Sequence, residues 1–199
     1  MTIRLLLIIF FIIQASALGQ NQAARPVSFY AEEITLEVND SIATVNGAFY
    51  FRNNSDREGY FPLAFPFYID DFCDYPHYIE VYLLDNDIKV PLDFSRIGDT
   101  DKIRFGILLD PHQEIIWHLE YKQKIKSGRA VYILKSTAAW GESLEWATYK
   151  FIVPPNFSKL EIWPAPDTSY TEDSNTIYTC KKTNFMPEQD MEIKWEVVK

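Results

Sequence analysis

Apolar side chains return at every second position along most of this chain, a period that only extended backbone sorts onto one face. Ile34, Leu36 and Val38 fall on one side, with Glu33, Thr35 and Glu37 on the other. Asn39-Asp40 then supplies a turn, and Val45, Phe49 and Phe51 carry the apolar face back. Ile79, Val81 and Leu83 repeat the grammar before Asp85-Asn86-Asp87, with Ile88, Val90, Leu92 and Phe94 returning. Two β-hairpins are predicted. Further strands are expected at 102–109, 114–123, 130–135, 145–153, 159–163, 176–181 and 192–197, all rich in the β-branched and aromatic residues that a pleated surface favours. No segment beyond the first seventeen residues holds a 3.6-residue apolar period over three turns. The expected fold is all-β: an antiparallel β-sandwich, immunoglobulin-like or a related Greek-key arrangement.

The first seventeen residues follow a different rule. Arg4 precedes an unbroken apolar run from Leu5 to Ile13, and Ala15-Ser16-Ala17 supplies a small-x-small cleavage site. That is the layout of a secretory signal peptide, and the run is well short of the roughly 20 apolar residues of a membrane span. Residues 1–17 are therefore read as a cleaved signal and 18–199 as one β-sandwich domain, with Pro154-Pro155-Asn156 its best candidate joint. The mature chain would be periplasmic or extracellular, with no membrane span. Without Arg4 it carries 18 basic and 28 acidic residues, a net charge of −10. Such a chain repels phosphate backbones, so nucleic acid is excluded as a partner and a protein or glycan is expected.

Export also bears on the two cysteines. An oxidising compartment favours a Cys73–Cys180 disulfide, with two separate, partly buried thiols as the alternative. Asn39, Asn53 and Asn156 each begin an Asn-x-Ser triplet, which reads first as a turn and second as a glycan acceptor.

Three clusters carry whatever chemistry the chain has. Asp70, Asp71 and Asp74 lie within five residues and could offer oxygens to a hard cation, although the spacing is not that of a calcium loop and a solvated acidic loop is the simpler reading. Lys122, Lys124 and Lys126 share one strand face, either docking an anionic partner or guarding an exposed sheet edge. Trp140, Glu142 and Trp146 surround a short acidic turn, where flat rings beside a carboxylate can hold a sugar. Capping of the core is the competing role for those tryptophans.

No Gly-rich phosphate loop, Gly-x-Ser-x-Gly elbow or His-Glu-x-x-His helix occurs, so neither a catalytic residue nor a cofactor is assigned. A non-catalytic binding or interaction module follows. A carbohydrate-binding or carbohydrate-active protein using the Trp140–Trp146 turn is one alternative, and an assembly factor pairing through a sheet edge is the other.

The run Tyr132-Ile133-Leu134-Lys135-Ser136-Thr137-Ala138-Ala139-Trp140-Gly141, continuing through Trp146-Ala147-Thr148-Tyr149-Lys150-Phe151-Ile152-Val153-Pro154, resembles part of exported bacterial β-sandwich domains of unknown function. Those domains carry a Tyr-x-Leu-x-Thr-like strand, a Trp-containing turn and an Ala-Thr-x-x-x-Ile-x-x-Pro-like strand. The hairpin from Glu32 to Phe51 is similar to their start. The likeness spans about half of the mature chain, lacks a Thr-Gly step before the tryptophan, and implies an exported β-sandwich with no catalytic residues to transfer.

Overall fold

In the computed structural model, which describes residues 25–126 and 128–197, nearly every alternating segment is a strand. In chain order they are β1 (Val27–Val38), β2 (Ile42–Asn53), β3 (Gly59–Pro66), β4 (Tyr78–Asp85), β5 (Ile88–Pro91), β6 (Ser95–Arg96), β7 (Lys102–Leu109), β8 (Glu114–Lys124), β9 (Arg129–Tyr132), β10 (Leu144–Val153), β11 (Phe157–Trp163), β12 (Thr168–Glu172), β13 (Asn175–Phe185) and β14 (Met191–Val197). A 3-10 helix over Lys135–Trp140 interrupts the pattern and stops at Gly141, whose φ of 76° is the left-handed conformation that glycine adopts without strain. The expected signal, residues 1–17, lies outside the described residues. Among those described, no helix is long and apolar enough to cross a membrane.

Eight strands form one large sheet in the order β12-β13-β10-β1-β2-β8-β4-β5. Two three-stranded sheets, β11-β14-β9 and β3-β7-β6, form the opposing layer. The inward residues of β1, β2, β8 and β10 build a continuous core with both small sheets. Phe65 of β3 meets Phe49 with ring centroids 5.8 Å apart, Phe105 of β7 meets Trp117 at 4.8 Å, and Phe67 meets Tyr121 at 5.0 Å. The all-β sandwich is as expected. Its large sheet departs from a purely antiparallel plan at one place, where β1 and β10 run parallel from Ala31 opposite Trp146 to Glu37 opposite Ile152.

Local turn chemistry explains the hairpins. Asn39 Oδ1 accepts from the backbone N–H groups of Ser41 and Ile42, closing the β1–β2 turn. Asn86 and Asp87 both adopt positive φ, 47° and 64°, as a two-residue turn matched to strand twist requires. Three strands lie outside the expected segments, the two-residue β6 among them. β3 contains Pro62 and Pro66, tolerated because it is a sheet edge, and β12 is polar and exposed throughout. The lysine row is not at an edge: β8 is flanked by β2 and β4, and Lys122 lies between Thr44 and Tyr78. Edge protection is therefore not its role. The free edges of the large sheet belong to β5 and β12.

Asn53 is a structural residue and is fully buried, which removes it as a glycan acceptor. Its Nδ2 donates to the carbonyls of Arg57 at 2.8 Å and Asp110 at 2.9 Å, while its Oδ1 accepts from Ser55 N at 3.0 Å and Ser55 Oγ at 2.7 Å. Removing the amide strands those partners. Asn53→Ala is expected to lose about 2 kcal/mol of stability in urea unfolding, and a loss below about 0.5 kcal/mol would show that water replaces the amide.

Candidate functional site

A single-residue irregularity in β1 creates the most unusual site in the molecule. Phe29 pairs with Phe51, and the next register pair is Ala31 with Tyr50, so Tyr30 is an extra residue in the strand. Such a bulge inverts the in–out alternation beyond it. Phe29 points into the core, Tyr30 and Ala31 lie against Tyr50 and Trp146 on the outer face, and Glu32 turns inward beside Ile34. A carboxylic acid thereby replaces an apolar side chain on the inner face of the central strand.

Glu32 is 2% exposed. Its Oε1 accepts a 2.7 Å hydrogen bond from the Tyr149 hydroxyl of neighbouring β10. Among the described residues no donor reaches Oε2 and no Lys or Arg neutralises the acid. Burial pushes its pKa up to about 7, with the Tyr149 bond pulling the other way. Tyr149 and Tyr132 are in turn raised, first by burial and then by the nearby Glu32 charge.

Glu32 lines a cavity of about 350 Å³ between the large sheet and the opposing layer. Phe29, Phe49, Phe51 and Trp117 supply the large-sheet wall, Phe65 and Phe105 the facing wall, and Tyr132 and Trp140 the side. The cavity lies where the β3 edge of one small sheet approaches the β9 edge of the other, with Phe65 and Tyr132 centroids 6.2 Å apart. Arg25 and Lys102 also line it, and both are exposed, so they stand at its mouth. Arg25 donates to the carbonyl of Ala139 at 2.9 Å, which ties the chain before β1 to the 3-10 helix.

Of the residues singled out in the sequence, only Trp140 belongs to this cavity. Its ring packs edge-on against Phe51 at 5.1 Å and Phe29 at 6.1 Å, inside the sandwich. Trp146 sits on the outer face against Tyr50 at 4.8 Å, while Glu142 is exposed on the turn between them. The strand alternation of β10 and the turn at Gly141 thus divide the two tryptophans between opposite faces, and they do not form one sugar platform. Glu145 is held by Arg52 at 3.2 Å on the outer face.

The acidic loop is likewise committed elsewhere. Asp70 Oδ1 accepts from the N–H groups of Phe72 and Cys73, and its Oδ2 pairs with Arg129 at 2.9 Å. Asp71 and Asp74 are exposed beside it. Among the described residues no three His, Cys, Asp or Glu groups converge as metal ligands. Asp70 braces the loop through its bonds to Phe72, Cys73 and Arg129.

Cys73 and Cys180 are both buried free thiols. Cys73 bridges Ile125 in the column of β4, and Cys180 sits on β13 opposite Tyr149. Five strand spacings separate those columns, on the order of 20 Å at ~4.8 Å each against the roughly 7 Å reach of a disulfide. Burial raises the Cys73 thiol to about 11 and Cys180 upward as well, so neither is a thiolate at neutral pH.

Sequence reading missed Glu32 because Glu32-Glu33 looks like a solvated pair. The available signal was parity, since Glu32 stands two residues before inward Ile34.

No protein-family model matches the chain, and no curated protein matches it. Among solved structures it is similar to one from Legionella pneumophila described as a "putative nutrient binding protein". The two share 16% sequence identity and superpose with a TM-score of 0.65, over 85% of this chain and 67% of that one. At that identity the likeness establishes a shared β-rich fold.

Proposed function

We propose that residues 1–17 direct export and that residues 18–199 fold as one domain, a non-catalytic binding module whose small-molecule ligand occupies the aromatic cavity. The observation that carries this reading is the cavity itself. Its volume of about 350 Å³ lies within the roughly 300–1,000 Å³ of small-ligand sites, which are mostly apolar with a few polar groups. The description of the Legionella pneumophila protein as nutrient-binding supports the same kind of role. Catalysis is not favoured: among the described residues no histidine or cysteine lines the cavity, and Glu32 has no second acid there to share a proton-transfer cycle.

Thermal-shift screening of the full chain against amino acids, sugars, nucleobases and aromatic acids tests the reading. A ligand at 100 times its Kd should stabilise the protein by about 2.7 kcal/mol. Trp140→Ala, which removes one wall at a half-buried position, should weaken that ligand by about tenfold. Ligands that stabilise Trp140→Ala and the parent equally would place the site elsewhere, and no stabilising ligand in any class would count against a binding role.

A further inference from the structure

We propose that the cavity selects a zwitterion: the ligand's protonated amine pairs with the Glu32 carboxylate inside, its apolar body lies on the aromatic walls, and its own carboxylate meets Arg25 and Lys102 at the mouth. This inference rests on the cavity being the binding site and names the class of molecule it takes.

The inner pole comes first. Glu32 is the only acidic side chain lining the cavity among the described residues, and Oε2 is free to accept. A buried carboxylate without a countercharge is costly, and the cost is relieved by an incoming cation that also hydrogen-bonds it. The walls suit the same group. Phe29, Phe51, Phe65, Trp117, Tyr132 and Trp140 present aromatic surface, and an ammonium against such rings gains cation–π attraction that strengthens as water is excluded.

The outer pole has the opposite sign. Among the described residues Arg25 and Lys102 are the two cations lining the cavity, on a chain whose residues 18–199 carry a net charge of −10. Glu32 is buried while Arg25 and Lys102 are exposed, so the two poles lie at different depths of one cavity. A simple amine leaves the mouth unused and is repelled by it on entry. A simple carboxylate leaves Glu32 without a partner. A sugar would need several polar contacts, whereas among the described residues Ser136 and Thr137 are the only hydroxyl side chains besides Tyr132 on the lining.

The pairing also sets a pH dependence. The groups around Glu32 are Tyr149 on β10 and Tyr132 on β9, both held neutral by burial, with Arg25 and Lys102 at the mouth. Glu32 must lose its proton to hold an ammonium, so affinity should be level above pH 7 and fall by about tenfold per unit below it.

Isothermal titration of the full chain at pH 8 and pH 6 with L-phenylalanine, 2-phenylethylamine, 3-phenylpropionate, toluene and methyl β-D-glucoside tests this. L-Phenylalanine should bind tightest, with each single-charge analogue weaker by about tenfold or more. Glu32→Gln should weaken L-phenylalanine and 2-phenylethylamine by about tenfold or more while leaving 3-phenylpropionate unchanged. The double variant Arg25→Ala, Lys102→Ala should weaken the two carboxylates and spare the amine. Toluene, 3-phenylpropionate or the glucoside binding as tightly as L-phenylalanine would overturn the zwitterion while leaving the cavity as the binding site, provided Trp140→Ala weakens them. Binding of none of the five overturns it as well, and the wider screen with Trp140→Ala then judges the cavity on its own. The comparison among ligands on the unmodified protein holds even if a variant folds poorly.

Discussion

Trp117→Ala should unfold at a much lower urea concentration than the parent protein, with a loss of about 4 kcal/mol, as large aromatic truncations in a core produce. Trp117 lies at the centre of β8, where the large sheet meets the β3-β7-β6 layer. It stacks on Phe49 at 4.1 Å with the planes 14° apart, and takes Phe105 and Phe65 edge-on at 4.8 and 6.3 Å. Truncation removes all of those contacts and joins the vacated space to the existing 350 Å³ cavity, so collapse cannot recover the loss. Trp117→Phe should cost far less, about 1–2 kcal/mol, because the indole Nε1 is buried without a partner among the described residues and its removal relieves an unmet donor. The comparison is the diagnostic. Equal losses for the two variants would mean that Nε1 has a partner, such as a bound water or ligand, in solution.

Local pattern carries the elements, and long-range pairing carries the site. The strand expected at 102–109 is β7 with the same limits, and the turn at Asp85-Asn86-Asp87 falls where alternation breaks. Those features depend on neighbours in sequence. β3 was hidden because Pro62 and Pro66 read as breakers, and only its place at an edge makes them harmless. β12 was hidden because an edge strand exposed on both faces has no alternation to display. The parallel β1–β10 pair joins residues more than a hundred positions apart, and no local period specifies a partner at that distance. The bulge at Tyr30 is subtler, since one unpaired residue reverses which face every earlier side chain takes. Trp140 and Trp146, six residues apart and chemically alike, suggested one surface and occupy two because the left-handed turn at Gly141 comes between them. Trp146 was legible as outward, grouped with Thr148 and Lys150, whereas the inward path of Trp140 depends on the 3-10 helix that precedes Gly141.

Stability should fall as pH rises from about 5 to about 8 in the part governed by Glu32, and Glu32→Gln should abolish that part. The sign follows from proton counting. In the unfolded chain Glu32 titrates near its ordinary value of 4.5, whereas in the fold it holds its proton to about 7. Between those values the native state binds the extra proton, so raising the pH favours unfolding. The contribution is fully present below 4.5, is lost across the window and is gone above 7, amounting to about 3 kcal/mol at ~1.36 kcal/mol per unit. Glu32→Gln should therefore match the parent near pH 4 and exceed its stability at pH 8 by up to about 3 kcal/mol. His118 works against the trend in the same range, because burial first and then Lys89 lower its pKa, so its share of stability falls as the pH drops. Asp70, with its pKa lowered through backbone hydrogen bonds, Tyr68 and Arg129, acts at still lower pH. Subtracting the variant's profile from the parent's cancels both and leaves Glu32 alone. An ionised Glu32 with no countercharge is the state a ligand amine would relieve, so the same carboxylate that weakens the empty protein at pH 8 supplies the drive for binding there. Equal stability of parent and Glu32→Gln at pH 8 would show that the carboxylate already has a countercharge within the fold, and the inner pole of the cavity would then be spent before any ligand arrives.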